Sequence, residues 1–100
     1  MDFTKNLYTI VKSSPLEKEI KLTDEEHLIF KAHFPGNPIL PGFLQIEIAQ
    51  ELFNLKIKKI KKLKFLTLVK PSTILTYTKH HNKISVKDEN NNKVNELTYE

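Results

Sequence analysis

Phe43-Leu44-Gln45-Ile46-Glu47-Ile48-Ala49-Gln50-Glu51-Leu52-Phe53-Asn54-Leu55 is the stretch on which the fold turns. Apolar residues at 43, 44, 46, 48, 49, 52, 53 and 55 cover nearly the whole circumference of a helix. A helix apolar all round is expected to be buried. At 1.5 Å per residue this one would be about 20 Å long. Glu47 stands one turn inside it, on an otherwise apolar surface. The rest of the chain has to supply the cover. Upstream, Leu7–Lys12 is rich in β formers and ends at Ser13-Ser14-Pro15, and Glu17–Leu22 alternates charged with apolar residues. Thr23-Asp24-Glu25-Glu26 reads as a turn or a capped helical turn. Downstream, residues 57–69, 73–79, 83–87 and 93–99 read as strands, with Asp88–Asn92 as a polar hairpin tip. The expected fold is α+β: one domain over residues 1–100, an antiparallel sheet wrapped around one long central helix.

Composition narrows the function. A 100-residue chain with 39% hydrophobic and 28% charged residues is globular in character. No apolar run approaches the roughly 20 residues of a membrane span, and the first residues lack the apolar core of a signal peptide. Cytoplasm is the expected address. Cysteine is absent, which excludes disulfides, thiolate catalysis and cysteine metal sites. The net charge is +4, and all 16 basic residues are lysine. Arginine forks dominate base readout and bidentate phosphate grip, so a nucleic-acid partner is disfavoured. An acidic protein partner stays compatible.

Three of the five prolines and both glycines fall just before the helix, in His33-Phe34-Pro35-Gly36-Asn37-Pro38-Ile39-Leu40-Pro41-Gly42. Prolines stiffen this loop, and glycines allow positive φ or close backbone approach. Such a loop is a platform. It holds an imidazole, His33, and leads to a carboxylate, Glu47. Between them lie the first free N–H groups of the helix, near Gly42 and Phe43, where developing negative charge is favoured. An acid–base pair beside an oxyanion site suits proton abstraction next to a carbonyl. A carboxylic acid among apolar groups keeps its proton more readily, as a general acid must.

The segment resembles the signature of the β-hydroxyacyl-acyl carrier protein dehydratases of the hotdog fold (FabZ/FabA-like). That signature is His-Phe-Pro-Gly-x-Pro-Ile-(Leu or Met)-Pro-Gly-x-x-Gln-x-Glu, and residues 33–47 fill every named position. The resemblance implies roles. His33 would remove the α-proton of a 3-hydroxyacyl thioester. The Gly42 N–H would bind the thioester oxygen as it becomes an enolate. Glu47 would protonate the departing hydroxyl, giving a trans-2-enoyl thioester and water. Phe34, Pro41, Phe43 and Leu44 would lie around the substrate. The resemblance implies no cofactor and no metal. The implied partners are an acyl carrier protein bearing a 3-hydroxyacyl-phosphopantetheine thioester and a second copy of the chain. His33 of one protomer would face Glu47 of the other in a homodimer, with a trimer of dimers left open. A cis His33–Phe34 peptide bond is also implied.

Some features depart from the signature's usual setting. The connection after the helix is very short, and the last strands look clipped near Asn90–Asn92. Relatives often carry Gln four residues after the acid; here Gln50 is three residues on and Glu51 four. Acyl-thioester hydrolysis, or a non-catalytic acyl-binding subunit, are the alternatives on the same fold. The lysine run Lys56, Lys58, Lys59, Lys61, Lys62 reads as a protected edge strand or as a dock for an acidic carrier protein. His80-His81 lacks ligand spacing and reads as a solvated strand end.

Overall fold

The computed structural model describes residues 2–32 and 36–100. Six strands and two helices follow in the order β1 (Tyr8–Ser13), β2 (Glu17–Leu22), α1 (Leu28–Ala32), α2 (Gly42–Phe53), β3 (Ile60–Phe65), β4 (Ile74–His80), β5 (Lys83–Asp88) and β6 (Lys93–Tyr99). The strands form one sheet in the order β1-β2-β4-β5-β6-β3, with every pair antiparallel. The expected strands are all present. Only residues 57–69 deliver less than expected, because the ladder there is confined to Ile60–Phe65. On either side, the Lys58 and Lys59 N–H groups donate to the Glu100 carbonyl and the Leu66 N–H to Val94.

Register explains the core. Tyr77 faces Val86, which faces Asn95; Ile84 faces Leu97, which faces Leu63. These rows alternate with Thr76, Thr78, Ser85 and Glu96, so one face of the sheet is apolar and the other polar. The apolar face packs on α2 through Leu44, Ile48 and Ala49, and Ile20, Leu22, Phe30, Leu75 and Val94 complete the core. α1 is one short helical element that buries Ile29 and Phe30. The His27 imidazole accepts the Ile29 N–H at its start.

Two expectations about α2 need correction. The helix covers Gly42–Phe53, twelve residues rather than one long element reaching Leu55. It ends because Asn54 turns left-handed, at φ 51° and ψ 50°. The Leu55 N–H then donates back to Gln50 and the Asn54 N–H to Glu51, as in a Schellman ending. Nor is α2 buried all round. Leu44, Gln45, Ile48 and Ala49 are buried, whereas Phe43, Glu47 and Glu51 are exposed. The reason is geometric: one sheet can cover only one side of a helix, and among the described residues the far side of α2 meets only the first residues of the chain, through Phe3, Thr4 and Tyr8.

Candidate active site

The loop before α2 is locked into the fold at Leu40. Its N–H donates to the Val69 carbonyl at 2.8 Å, and its carbonyl accepts Gln45 Nε2 at 3.2 Å. Gln45 is itself held, with Asn95 Nδ2 donating to Gln45 Oε1 at 2.6 Å and the Tyr77 hydroxyl donating to the Gln45 carbonyl at 3.0 Å. All five residues are buried. The buried amide thus ties loop, helix and sheet together, and Asn95 is the polar residue the sheet's inner face supplies for it. Burial pushes the Tyr77 phenol far above its usual range, so its proton stays available as a donor.

Pro41 caps α2 in an extended conformation, without a side-chain cap hydrogen bond. The Leu44 and Gln45 N–H groups donate back to the Pro41 carbonyl at 3.1 and 3.3 Å. The N–H groups of Gly42 and Phe43 precede that first turn of bonding and form the positive end of the helix. Gly42 is a glycine for a steric reason. A Cβ there would lie 2.5 Å from Cζ of Phe65, whose ring rests over this position from β3. Gly36, in the loop, has φ +86°, which a side chain would disfavour.

Of the residues singled out from sequence, Pro41, Gly42, Phe43, Leu44 and Glu47 come together at this end of α2. His33 and Phe34, with the cis bond expected between them, lie outside the described residues. Leu44 points into the core at 0% exposure, while Phe43 is 56% exposed. The Glu47 carboxylate is exposed, not enclosed in an apolar pocket as the sequence led us to expect. Gln50 Nε2 donates to Glu47 Oε2 at 3.3 Å, while Gln50 Oε1 accepts the Ile57 N–H at 2.9 Å. Gln50 therefore reaches the carboxylate from three residues on, and the short connection after α2 anchors it there. Glu51 turns away to the Thr4 and Tyr8 hydroxyls. A hollow of about 310 Å³ beside Glu47 is lined by Asp2, Phe3, Thr4, Phe43, Leu44 and Glu47. Hollows of about 380 and 420 Å³ have linings almost wholly of polar side chains and prolines and suit an acyl chain less well, and one of about 320 Å³ lies away from Glu47, beside Tyr8, Lys21 and Leu22.

Sequence reasoning missed Phe3, Thr4 and Phe65. The first two precede every recognisable element, and the third sits in a lysine-rich strand whose contacts only folding reveals. The lysine run lies on and just before β3, at the sheet edge, and is exposed; Lys61 pairs with Glu100 at 3.4 Å. His80 and His81 stand at the exposed β4–β5 turn with their rings 4.4 Å apart. Among the described residues, no three His, Asp or Glu side chains are grouped to hold a metal, and no helix is long and apolar enough to cross a membrane.

Residues 11–96 match the family described as ApeI-like, ApeI dehydratase. The chain belongs to the ApeI-like dehydratase family. The ApeI-like chain is also 32% identical to the 3-hydroxyacyl-acyl-carrier-protein dehydratase FabZ of Levilactobacillus brevis, in a match covering 59% of this chain. It spans about half of that relative's length, 47%. Its fold is similar to that of the dehydratase heterocomplex ApeI:P from Xenorhabdus doucetiae, with a TM-score of 0.64 and 21% identity over 93% of this chain and 96% of the other. The PaaI protein of the E. coli phenylacetic acid degradation operon gives a TM-score of 0.64 at 13% identity, over 97% and 84% of the two chains. A hypothetical thioesterase with coenzyme A from Streptococcus pneumoniae gives 0.53 at 13%, over 98% and 91%. At such identities these structures establish the hotdog fold alone.

Proposed function

We propose that this chain dehydrates 3-hydroxyacyl thioesters carried by acyl carrier protein. The observation that carries the reading is a carboxylate, Glu47, one turn inside a helix whose free N–H groups follow a proline-stiffened loop, beside a hollow whose apolar side is Phe3, Phe43 and Leu44. In this reading His33 takes the α-proton. The thioester oxygen gathers the charge against the Gly42 N–H. The C–O bond at the β-carbon then breaks, and the hydroxyl leaves as water with the proton of Glu47. A preorganised oxyanion donor of this kind is worth about 3–4 kcal/mol. Pro41, Phe34, Phe43 and Leu44 shape the surroundings of the substrate. Gln50 orients the Glu47 carboxylate.

The site is completed by a second copy of the chain, residues 1–100 forming one hotdog domain that pairs as a homodimer. The exposure that Phe43 and Glu47 keep beside residues 2–4 supports this, since a partner's loop would add cover and bring His33. The exposed lysines from Lys56 to Lys64 provide a positive field for an acidic carrier protein.

The test is incubation with 3-hydroxybutyryl and 3-hydroxydecanoyl carrier thioesters, following enoyl absorbance and free thiol together. Enoyl formation that is lost in His33→Ala and Glu47→Gln supports the reading. Thiol release without enoyl would make the chain a thioesterase. Tight binding without either product would make it a non-catalytic acyl-binding subunit.

A further inference from the structure

Residues 2–7 run along the open side of α2 as a strap. Leu7 anchors one end in the core at 0% exposure, its N–H donating to the Thr4 carbonyl at 3.0 Å. The His27 Nε2 stands 2.8 Å from the Lys5 carbonyl. The Thr4 hydroxyl donates to the Glu51 carboxylate, and the Tyr8 hydroxyl donates to its other oxygen at 2.8 Å. Phe3 meets Phe43 edge-on, with centroids 6.1 Å apart at 86°. Phe43, Glu47 and Glu51 are spaced four residues apart on one face of α2. The strap is therefore pinned one turn before Glu47 and one turn after it, and Glu47 lies in the span between. Asp2, Phe3 and Thr4 make half the lining of the hollow at Glu47. Burial, and then the Glu51 carboxylate, raise the Tyr8 phenol well above its usual range, so this pin stays a donor.

We infer that the strap is the outer wall of the acyl-thioester cleft and that Phe3 limits the acyl chain to short 3-hydroxyacyl groups, with Glu51 as the positioning residue that holds the wall. At about 310 Å³ the hollow sits at the small end of ligand clefts, which run from about 300 to 1,000 Å³. The Phe3 and Phe43 rings meet edge-on in its wall and narrow the space open to a longer chain. None of Phe3, Thr4, Tyr8 and Glu51 belongs to the signature of residues 33–47. The inference rests on the dehydratase reading for its substrate class.

The experiment compares kcat/KM for 3-hydroxybutyryl and 3-hydroxydecanoyl carrier thioesters in the parent protein and in Phe3→Ala, Glu51→Ala and Tyr8→Phe. Phe3→Ala should raise the long-to-short ratio by about ten-fold or more, the scale set by even one methylene in an apolar pocket. Glu51→Ala should move the ratio the same way, and Tyr8→Phe less, because the Thr4 pin remains. A merely structural strap would lower stability and leave the ratio unmoved, and that result overturns the inference. Phe3 is 45% exposed, so its truncation leaves the core intact. Binding of non-hydrolysable acyl-pantetheine amides of four and ten carbons, followed by calorimetry, separates the two failures. If no thioester is dehydrated but Phe3→Ala still shifts binding toward the longer amide, the dehydratase reading falls and the wall stands. If dehydration proceeds with neither ratio moved, the wall falls alone.

Discussion

Asn95→Leu is the sharpest probe of what holds the candidate site in place. Asn95 lies on the inner row of the sheet, in register with Val86 and Phe65, and is 5% exposed. Its Nδ2 group gives Gln45 Oε1 a hydrogen bond of 2.6 Å, and Gln45 in turn donates to the Leu40 carbonyl immediately before Pro41. Leucine fits the apolar row but removes the donor, leaving a buried amide oxygen without a partner. That costs about 1–3 kcal/mol, more than the about 1 kcal/mol net value of an ordinary hydrogen bond. Taking about 2 kcal/mol, and about 4–8 °C per kcal/mol for a domain of this size, Tm should fall by about 8–16 °C. Urea unfolding followed by circular dichroism gives the same quantity as a shifted midpoint with an unchanged slope. The double variant Gln45→Leu/Asn95→Leu should be less damaged than the sum of the two single changes by about 1–2 kcal/mol, because neither amide is then left alone. A loss under about 0.5 kcal/mol in Asn95→Leu, or a cycle additive to within about 0.5 kcal/mol, would refute the pairing.

Other outcomes follow from the same geometry. Glu47→Gln should leave unfolding free energy within about 0.5 kcal/mol of the parent, since the carboxylate is exposed, while dehydration falls about 10²–10⁴-fold. A large loss of stability would instead mark Glu47 as structural. Gly42→Ala must displace the Phe65 ring and should cost about 1 kcal/mol, recovered in Gly42→Ala/Phe65→Ala and read by thermal melts. Burial pushes Asp88 upward, but hydrogen bonds from the Asn92 N–H, the Asn92 side chain and the Asn90 N–H outweigh it and hold the carboxyl below its usual value. A depressed folded value means that this contribution is present above the unfolded value of about 3.9 and is lost as pH falls below it. Stability should therefore drop more steeply below about pH 4 in the parent than in Asp88→Asn, measured by acid titration of the circular dichroism signal.

The strands were legible from β-forming composition, as in Leu7–Lys12, or from alternation. Lys18-Glu19-Ile20-Lys21-Leu22 alternates with a buried face at Ile20 and Leu22, Asp88–Asn92 marks the β5–β6 hairpin, and Pro71-Ser72 marks the turn between β3 and β4, two strands that do not pair. Family and fold were legible because residues 33–47 concentrate rare residues at fixed offsets. The reach of Gln50 to Glu47 was not, since it depends on where Asn54 turns the chain and lets Ile57 anchor the amide. Nor was the burial of α2. Composition says how apolar a helix is, but the number of sheets that cover it is a tertiary fact.

Local chemistry in the sequence therefore determined the elements, the stiff loop and the Gly42–Glu47 spacing, because capping, periodicity and proline act within a few residues. Tertiary structure alone decided which polar groups meet. Asn95 answers Gln45 from 50 residues away, Glu51 captures Thr4 and Tyr8 from more than 40, and Phe65 closes over Gly42. Such pairings depend on strand register and on the face each helix turn presents, and neither is fixed until the sheet closes on α2.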